Sequence, residues 1–299
     1  MTESGRMRLM IFGAGYSGKA IGKLLGNEGA SVAGTTRSAE KGKALEDAGI
    51  RPFVFDGVSL TEPLLGELAK TTHLVQSIAP GSEGDPLIRL CGDAGIKALM
   101  PKLEWIAYLS TVGVYGDHHG AWVNEETELK PVSVRSVERV EAEQAWQVIA
   151  ARDGLPLAIL RLSGIYGPGR NTFINLANGT ARRLVKKDQV FNRIRVEDIA
   201  SATAFLGGLK TGGIFNVTDD LPSPPQDVVT EAARLMNMEA PPEQPFETAD
   251  LTPMARSFYG ENKRVSNAKI KSLGFNFQYP NYHQSLADLL GSSTWNQRG

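Results

Sequence analysis

Residues 9–18 read Leu-Met-Ile-Phe-Gly-Ala-Gly-Tyr-Ser-Gly, an apolar run followed by three closely spaced glycines. The apolar residues Leu9 to Phe12 are typical of a buried parallel strand. The glycines allow the backbone to turn tightly and to approach a pyrophosphate that sits at a helix N-terminus. We therefore predict that a dinucleotide is bound by Gly13, Gly15, Tyr16, Ser17 and Gly18.

The sequence after the glycines favours a strand–helix–strand unit over an ordinary glycine-rich turn. Residues 19–26 carry apolar side chains on one helical face, and Ser31–Gly34 has the character of a second short strand. That strand is followed by Thr36, Arg37 and Ser38, where an acidic residue would bind a ribose 2′-hydroxyl. An arginine with small hydroxyl neighbours suits a 2′-phosphate, so we expect NADP to be preferred over NAD. A solvated surface charge at Arg37 is the alternative.

Composition points to small-molecule chemistry. The chain has 299 residues, a formal net charge of -1 and 22% charged residues, so no global attraction to nucleic acid or anionic membranes is expected. The single cysteine, Cys91, excludes an internal disulfide, and the four histidines form no pattern with metal-ligand spacing. No apolar run approaches the ~20 residues of a membrane span. We predict a cytoplasmic protein with a small-molecule substrate and no metal.

Strand and helix signals alternate along the chain, which predicts an α/β fold of the Rossmann type, a doubly wound parallel sheet with a smaller C-terminal part. The further strands are predicted at residues 53–55, 73–78, 105–109, 157–160 and 214–217. The predicted dinucleotide-binding domain covers 1–166, with 190–218 returning to it. The predicted substrate-binding part comprises 167–189 and 219–299.

Polar side chains follow the predicted strands. Because ligands bind at the carboxyl ends of parallel strands, we expect these side chains to meet at one edge of the sheet. The residues predicted to bind the cofactor there are Asp56, Ser77, Ile78, Ala79 and Ser163. Ser110 and Thr111 follow another of these strands.

Three further stretches support a family resemblance. Residues 110–116 read Ser-Thr-Val-Gly-Val-Tyr-Gly, residues 161–170 contain Tyr-Gly-Pro-Gly, and residues 195–200 read Arg-Val-Glu-Asp-Ile-Ala. Together with the glycine turn, they resemble the extended short-chain dehydrogenase/reductase family of nucleotide-sugar epimerases and dehydratases. The resemblance implies that Thr111 hydrogen-bonds the reacting hydroxyl or carbonyl oxygen.

The chain departs from that family at its Tyr-x-x-x-Lys pair. Counting from Pro131, the tyrosine position holds Arg135 and the lysine position holds Arg139. Arginine stays protonated in proteins and cannot act as a base. We predict that Arg139 holds the ribose and that Arg135 binds the substrate, the alternative being two exposed arginines on an amphipathic helix. Phe12 also replaces the family's first glycine, which indicates the atypical branch lacking the pair.

Other candidates come from loops. Tyr115 and Tyr166 could replace the missing acid or could shape the pocket, and Arg170 and Asn171 are predicted substrate contacts. The helix that carries Arg135 resembles a region through which related enzymes dimerise, so a homodimer is expected.

Two functions fit these predictions. The first is an NADP-dependent oxidoreductase or epimerase-like enzyme that acts on a small polar or nucleotide-linked sugar. The second is a catalytically silent NADP(H)-binding sensor or scaffold, because a chain without the tyrosine can keep the fold for ligand binding alone.

Overall fold

A computed structural model describes residues 6–297 of the chain. In chain order the strands are β1 Arg8–Phe12, β2 Ser31–Thr36, β3 Arg51–Val54, β4 His73–Gln76, β5 Trp105–Thr111, β6 Trp122–Val123, β7 Leu157–Leu162, β8 Gly164–Tyr166, β9 Arg183–Val185, β10 Arg193–Arg195, β11 Gly213–Val217, β12 Glu243–Pro245 and β13 Arg264–Val265.

The α-helices of the described part lie between these strands or follow them. They are α1 Tyr16–Asn27, α2 Gly42–Glu46, α3 Glu62–Leu68, α4 Pro86–Cys91, α5 Ile96–Leu99, α6 Val134–Arg152, α7 Thr172–Ala177, α8 Val196–Leu209, α9 Pro225–Leu235, α10 Pro253–Ser257, α11 Ala268–Ser272 and α12 Tyr282–Gly291.

Seven strands form one parallel sheet with the order β11-β7-β5-β4-β1-β2-β3. The order reverses at β1, which pairs with β2 on one side and β4 on the other. In such sheets a dinucleotide binds at the carboxyl edge beside the reversal. The predicted doubly wound α/β fold is confirmed.

The predicted strands all exist, with small differences at their ends. β3 begins at Arg51 and ends before Phe55, and β4 stops at Gln76, two residues earlier than predicted. The reason for the second difference is a side chain: the Ile78 amide donates to Gln76 Oε1 at 3.3 Å instead of continuing the ladder.

The chain divides into two compact units, and this division differs from the predicted domains. The first unit contains Met1–Val114, Ser133–Arg161 and Ile199–Phe215, and the second contains Tyr115–Val132, Leu162–Asp198 and Asn216–Gly299. In this division residues 190–198 belong to the second unit, where β10 pairs in parallel with β8.

The core of the first unit packs helices against the sheet. Apolar side chains of β1, β4 and β5 are wholly buried, and they pack against buried residues of the surrounding helices, among them Leu64, Leu87 and Trp146. In the second unit, a separate cluster joins α7, α9 and α12 around Phe173, Ala232 and Leu286.

Candidate functional site

The turn between β1 and α1 has a geometry that fits a bound diphosphate. Gly13 has a φ of +79°, and an added methyl would lie 2.9 Å from Ile78 Cγ1. The Gly13 amide donates to Thr35 Oγ1 at 2.9 Å, which ties the turn to β2. At Gly15 the nearest atom to an added methyl lies 4.0 Å away, so the backbone has open space there. The start of α1 follows at once with Tyr16, Ser17 and Gly18.

Helix α1 is held close to β1 by its glycine. A methyl at Gly18 would lie 3.1 Å from Ile11 Cγ2, tighter than most side-chain contacts. No side chain of the described residues caps the start of α1. The first amides of a helix that lacks such a cap are suitable donors for an anion.

The three residues predicted to recognise a 2′-phosphate lie where β2 ends. Thr36 is the last residue of β2, Arg37 is exposed, and Ser38 is half-buried. The first acidic residue after them is Glu40. The exposure of Arg37 is compatible both with binding of a 2′-phosphate and with a solvated charge.

Asp56 lies just beyond β3 and is exposed. Its Oδ1 accepts hydrogen bonds from the amides of Val58 and Ser59 at 2.8 and 3.1 Å. These two bonds lower the pKa of the Asp56 carboxyl below its ordinary value. The carboxylate is therefore ionised at neutral pH and has an exposed surface for hydroxyl groups.

The segment Ser77–Ala79 continues from β4 and lies beside the glycine turn. The Ser77 amide donates to Phe12 O at 2.9 Å, which extends the pairing of β4 with β1 by one residue. Ile78 packs directly against Gly13, and Ala79 is exposed. This part of the predicted cofactor site is therefore brought together with the turn.

Hydroxyl groups gather at the end of β5. Thr111 is half-buried, and its Oγ1 accepts from the Gly113 amide at 3.1 Å. A methyl at Gly113 would lie 3.4 Å from that oxygen and 3.1 Å from Ser136 Oγ. Ser136 Oγ in turn lies 2.9 Å from the oxygen of Ser133, the N-cap of α6. Sequence reasoning missed both serines, although Ser133 before a helix is a typical capping signal.

The two arginines at the tyrosine and lysine positions have different surroundings. Arg135 is exposed. Arg139 is half-buried; its Nη1 donates to Leu109 O at 2.6 Å, and its Cζ lies 5.7 Å from the centre of the Tyr108 ring. Arg139 therefore anchors α6 to β5, whereas its predicted contact with a ribose stays a prediction.

A buried ion pair provides a second anchor for α6. Glu143 and Arg161 are each 3% exposed, and Arg161 Nη2 lies 2.7 Å from Glu143 Oε2. The hydroxyl of Ser110 donates to the same carboxylate. Because a buried charge is costly without partners, this cluster fixes α6 to β5 and β7 next to Thr111.

In the second unit, two predicted site residues have structural partners. Tyr115 is fully buried, and its hydroxyl donates to Asn216 Oδ1 at 2.7 Å. This bond ties Tyr115 to Asn216, and the catalytic role of Tyr115 stays a prediction. Ser163 is also buried, and its Oγ lies 3.5 Å from Val217 O.

Tyr166 lies on β8 and packs against the apolar cluster of the second unit. Burial raises the pKa of its phenol, so the hydroxyl keeps its proton and is better suited to donate a hydrogen bond than to act as an acid.

Burial also raises the pKa of Asp219 in the second unit to about 8. Asp219 Oδ1 accepts from the Leu221 amide, while its Oδ2 has no hydrogen-bond partner among the described residues. Sequence reasoning missed Asp219 because nothing local marks it.

Arg170 and Asn171 lie on an open groove of about 390 Å³. The Asn171 amide group donates to Gly167 O and Trp295 O at 2.8 and 2.7 Å, and its Oδ1 accepts from Phe173 N at the start of α7. Asn171 therefore holds the loop together, and Arg170 is the exposed charge. The groove is lined by Gly169, Arg170, Asn171, Thr172, Ile174 and Asn175.

The stretch 195–200 has a structural role in the second unit. Arg195 is buried, forms ion pairs with Glu197 and Asp288, and stacks 4.1 Å from the centre of the Tyr279 ring. Asp198 accepts from two backbone amides of the C-terminal segment, including that of Tyr279 at 2.9 Å. The motif thus binds residues near the end of the chain to the start of α8.

Two further searches concern only residues 6–297. Within them, no group of three or more histidine, cysteine, aspartate or glutamate side chains is arranged to hold a metal ion. In the same part of the chain, every helix is too short or too polar to cross a membrane.

Comparison with known proteins relates part of the chain to a family. Residues 85–217 match the model of the NAD dependent epimerase/dehydratase family. The matched residues make up less than half of the chain, and the sheet order around them is that of a dinucleotide-binding fold.

Individual relatives extend over nearly the whole chain. A conserved protein of unknown function from Silicibacter pomeroyi DSS is 44% identical, with a TM-score of 0.88, and the match covers 96% of this chain and 99% of that one. Protein YeeZ of Escherichia coli K12 is 26% identical over 91% of this chain and 96% of its own length. The UDP-glucose 4-epimerase of Thermus thermophilus, solved in complex with NAD, shares the fold at 20% identity, with 96% and 100% coverage and a TM-score of 0.72.

Proposed function

We propose that the protein is an NADP-dependent oxidoreductase or epimerase-like enzyme that acts on a small polar sugar, free or nucleotide-linked. The observation that carries the proposal is the glycine turn, in which Gly13 is fixed against Ile78 while Gly15 has open space. The match to the epimerase/dehydratase family model and the NAD complex of the Thermus enzyme support the binding of a dinucleotide.

The preference for NADP rests on the residues after β2. Arg37 is exposed and is flanked by the hydroxyl side chains of Thr36 and Ser38. A guanidinium forms strong, charge-assisted hydrogen bonds with phosphate oxygens. No carboxylate lies among these three residues to repel a 2′-phosphate or to bind a 2′-hydroxyl.

Each residue of the proposed site has a distinct role. The glycine turn, Asp56 and the segment Ser77–Ala79 would hold the cofactor, whose nicotinamide supplies or accepts a hydride when bound. Thr111 hydrogen-bonds the reacting oxygen, with Ser136 as a neighbouring hydroxyl. Arg135 attracts an anionic group of the substrate. Arg139 keeps α6 against β5 and so maintains the place of Thr111.

Proton transfer needs a group other than the two arginines. Their guanidinium groups remain charged at every physiological pH and cannot exchange a proton with the substrate. The remaining routes are water, a group of the substrate itself, and Tyr166, whose raised pKa makes it a weaker acid than an ordinary tyrosine. We favour water, because Thr111 is only half-buried.

A second candidate function is an NADP(H)-binding sensor or scaffold without catalysis. Arg135 at the tyrosine position is the observation that favours it, because the residue that moves the proton in the family is absent while the glycine turn is retained. Such a protein would bind the dinucleotide and present a changed surface to a partner.

An assay of hydride transfer separates the two candidates. Consumption of NADPH is followed by absorbance with a panel of sugar nucleotides and small carbonyl compounds, using the wild type, Thr111→Ala and Thr111→Ser. An enzyme gives turnover that falls at least about 100-fold in Thr111→Ala and is largely kept in Thr111→Ser, which retains the hydroxyl. Tight NADPH binding without turnover of any compound contradicts the proposal of an enzyme and favours the proposal of a sensor or scaffold.

We also propose that the protein is cytoplasmic and forms a homodimer through α6. Val134, Val137 and Val148 are exposed on one face of this helix, and exposed apolar side chains are suited to helix packing. Sedimentation analysis that finds only monomer contradicts the dimer.

A further inference from the structure

A buried polar network lies behind the proposed cofactor site. Gln76 at the end of β4 is fully buried, and its Nε2 donates to both oxygens of Asp85, each at 2.8 Å. Trp146 of α6 donates its Nε1 hydrogen to Asp85 Oδ2 at 3.0 Å. Asp85 is 3% exposed. A carboxylate in such a place needs every one of these donors, so their positions depend on one another.

Asp85 also starts a helix. Its Oδ1 accepts from the backbone amides of Leu87 and Ile88 at 2.9 and 3.3 Å, which caps α4. Burial raises the pKa of the Asp85 carboxyl, and the hydrogen bonds from Trp146, Gln76 and the helix oppose that rise. One side chain thus joins β4, α4 and α6.

The network continues to the glycine turn. Gln76 Oε1 accepts from the Ile78 amide, so the orientation of the Gln76 amide group fixes the backbone just after β4. The Ile78 amide nitrogen would be 3.0 Å from a methyl on Gly13, and Ile78 Cγ1 would be 2.9 Å from it. A change in the backbone of Ile78 therefore presses on the turn that fits the diphosphate.

We propose that Asp85 is a positioning residue for the dinucleotide: through Gln76 it holds the backbone of Ile78, and with it the Gly13 turn, in the conformation that binds the cofactor. This inference rests on the proposed function. The role can be tested apart from the cap of α4, because a change at Gln76 leaves the Leu87 and Ile88 amides as donors to Asp85.

Asp85→Asn is the sharpest test, because it changes hydrogen bonding at nearly constant shape. The amide keeps one oxygen for the start of α4 but turns an NH2 group toward two donors, Trp146 Nε1 and Gln76 Nε2. Gln76 Nε2 keeps the remaining oxygen as an acceptor but lies 2.8 Å from the position of the new NH2 group, so two donors face each other. Rotating the Gln76 amide removes this conflict, but its NH2 group then faces the Ile78 amide, which is itself a donor. The expected result is about tenfold weaker binding of NADPH, measured by calorimetric titration.

A matched control comes from the opposite, amino-terminal edge of the sheet. Glu67 is also a buried carboxylate of the first unit, and it pairs with Arg8 and Arg51, which begin β1 and β3. Glu67→Gln is expected to lower the melting temperature with an affinity for NADPH within about twofold of the wild type. Gln76→Met leaves the cap of α4 in place and is expected to weaken NADPH binding as Asp85→Asn does. It replaces Asp85→Asn as the test if that variant does not fold.

The outcomes separate this inference from the function on which it rests. Weaker binding in Asp85→Asn and Gln76→Met, but not in Glu67→Gln, supports the positioning role. If the wild type binds NADPH and both variants of the network bind it within twofold, the inference is wrong while the proposed function stands. If the wild type binds neither NADPH nor NADH, both are wrong.

Discussion

The glycine turn after β1 and the first two turns of α6 lie in the same unit, yet they differ in how much of the family pattern they keep. The turn retains a glycine at φ +79° fixed by Thr35 and Ile78, and open space at Gly15. The first two turns of α6 have Arg135 and Arg139 where the resemblance implies tyrosine and lysine. One is exposed, and the other is hydrogen-bonded to β5.

Cofactor binding and proton transfer make separate physical demands on the chain. Binding a diphosphate requires backbone amides and a positive helix end, and glycine supplies the turn and the space that let the diphosphate approach them. Proton transfer requires a side chain whose pKa is within reach of neutral pH, which no arginine offers. A chain can therefore lose the second property while the first is intact.

Variants of the two glycines are expected to have the largest effects on cofactor binding. Gly13→Ala is expected to abolish measurable NADPH binding and to lower stability, because its methyl would collide with Ile78 at a backbone angle that alanine rarely adopts. Gly15→Ala is expected to weaken NADPH binding at least about tenfold with an unchanged melting temperature, because only a bound diphosphate would meet the methyl. Calorimetric titration and thermal melting measure both effects.

Equal affinity for NADPH in the wild type and Gly15→Ala would contradict the assignment of the turn. In that case the dinucleotide binds at another place or does not bind to this chain.

Arg37, the charged residue after β2, tests which of the two dinucleotides the site prefers. Arg37→Ala is expected to weaken NADPH binding about tenfold and to leave NADH binding within twofold, because only the 2′-phosphate gains from the guanidinium. Lys102→Ala is the control, since Lys102 is exposed and precedes β5 at the amino-terminal edge of the sheet. Equal losses for NADPH and NADH in Arg37→Ala would show that Arg37 does not read the 2′-phosphate.

The arginines of α6 give the smallest expected effect. Arg139→Ala is expected to lower the free energy of unfolding by about 1–2 kcal/mol, through loss of the bond to Leu109 O and the contact with Tyr108. Arg135→Ala is expected to change it by less than about 0.5 kcal/mol, because the side chain is exposed. Denaturant titration measures both. Equal losses would contradict the different surroundings of the two residues.

The sequence predicted what depends on neighbours along the chain. The strand Arg8–Phe12, the glycine turn and helix α1 follow from a local run of apolar residues and glycines, and the alternation of elements was enough for the sheet. Element ends were less predictable, as β4 illustrates, because a side chain of Gln76 replaces the ladder bond.

Contacts between distant residues could not be read from the sequence. The sequence predicts Tyr115 as a catalytic candidate. Its hydrogen-bond acceptor in the structure, Asn216, is 101 residues away along the chain. Trp146 reaches Asp85 across 61 residues, and Arg139 reaches Leu109 across 30. Such pairs are set by packing of helices on the sheet, for which a single sequence carries no local signal.

The central claim is that this chain keeps a site for a phosphorylated dinucleotide. Calorimetric titration of the wild type with NADPH and, separately, with NADH tests it most directly. We expect saturable binding of both at one site per chain, with NADPH bound at least about tenfold more tightly. Tighter binding of NADH would contradict the role given to Arg37, and binding of neither would contradict the site itself.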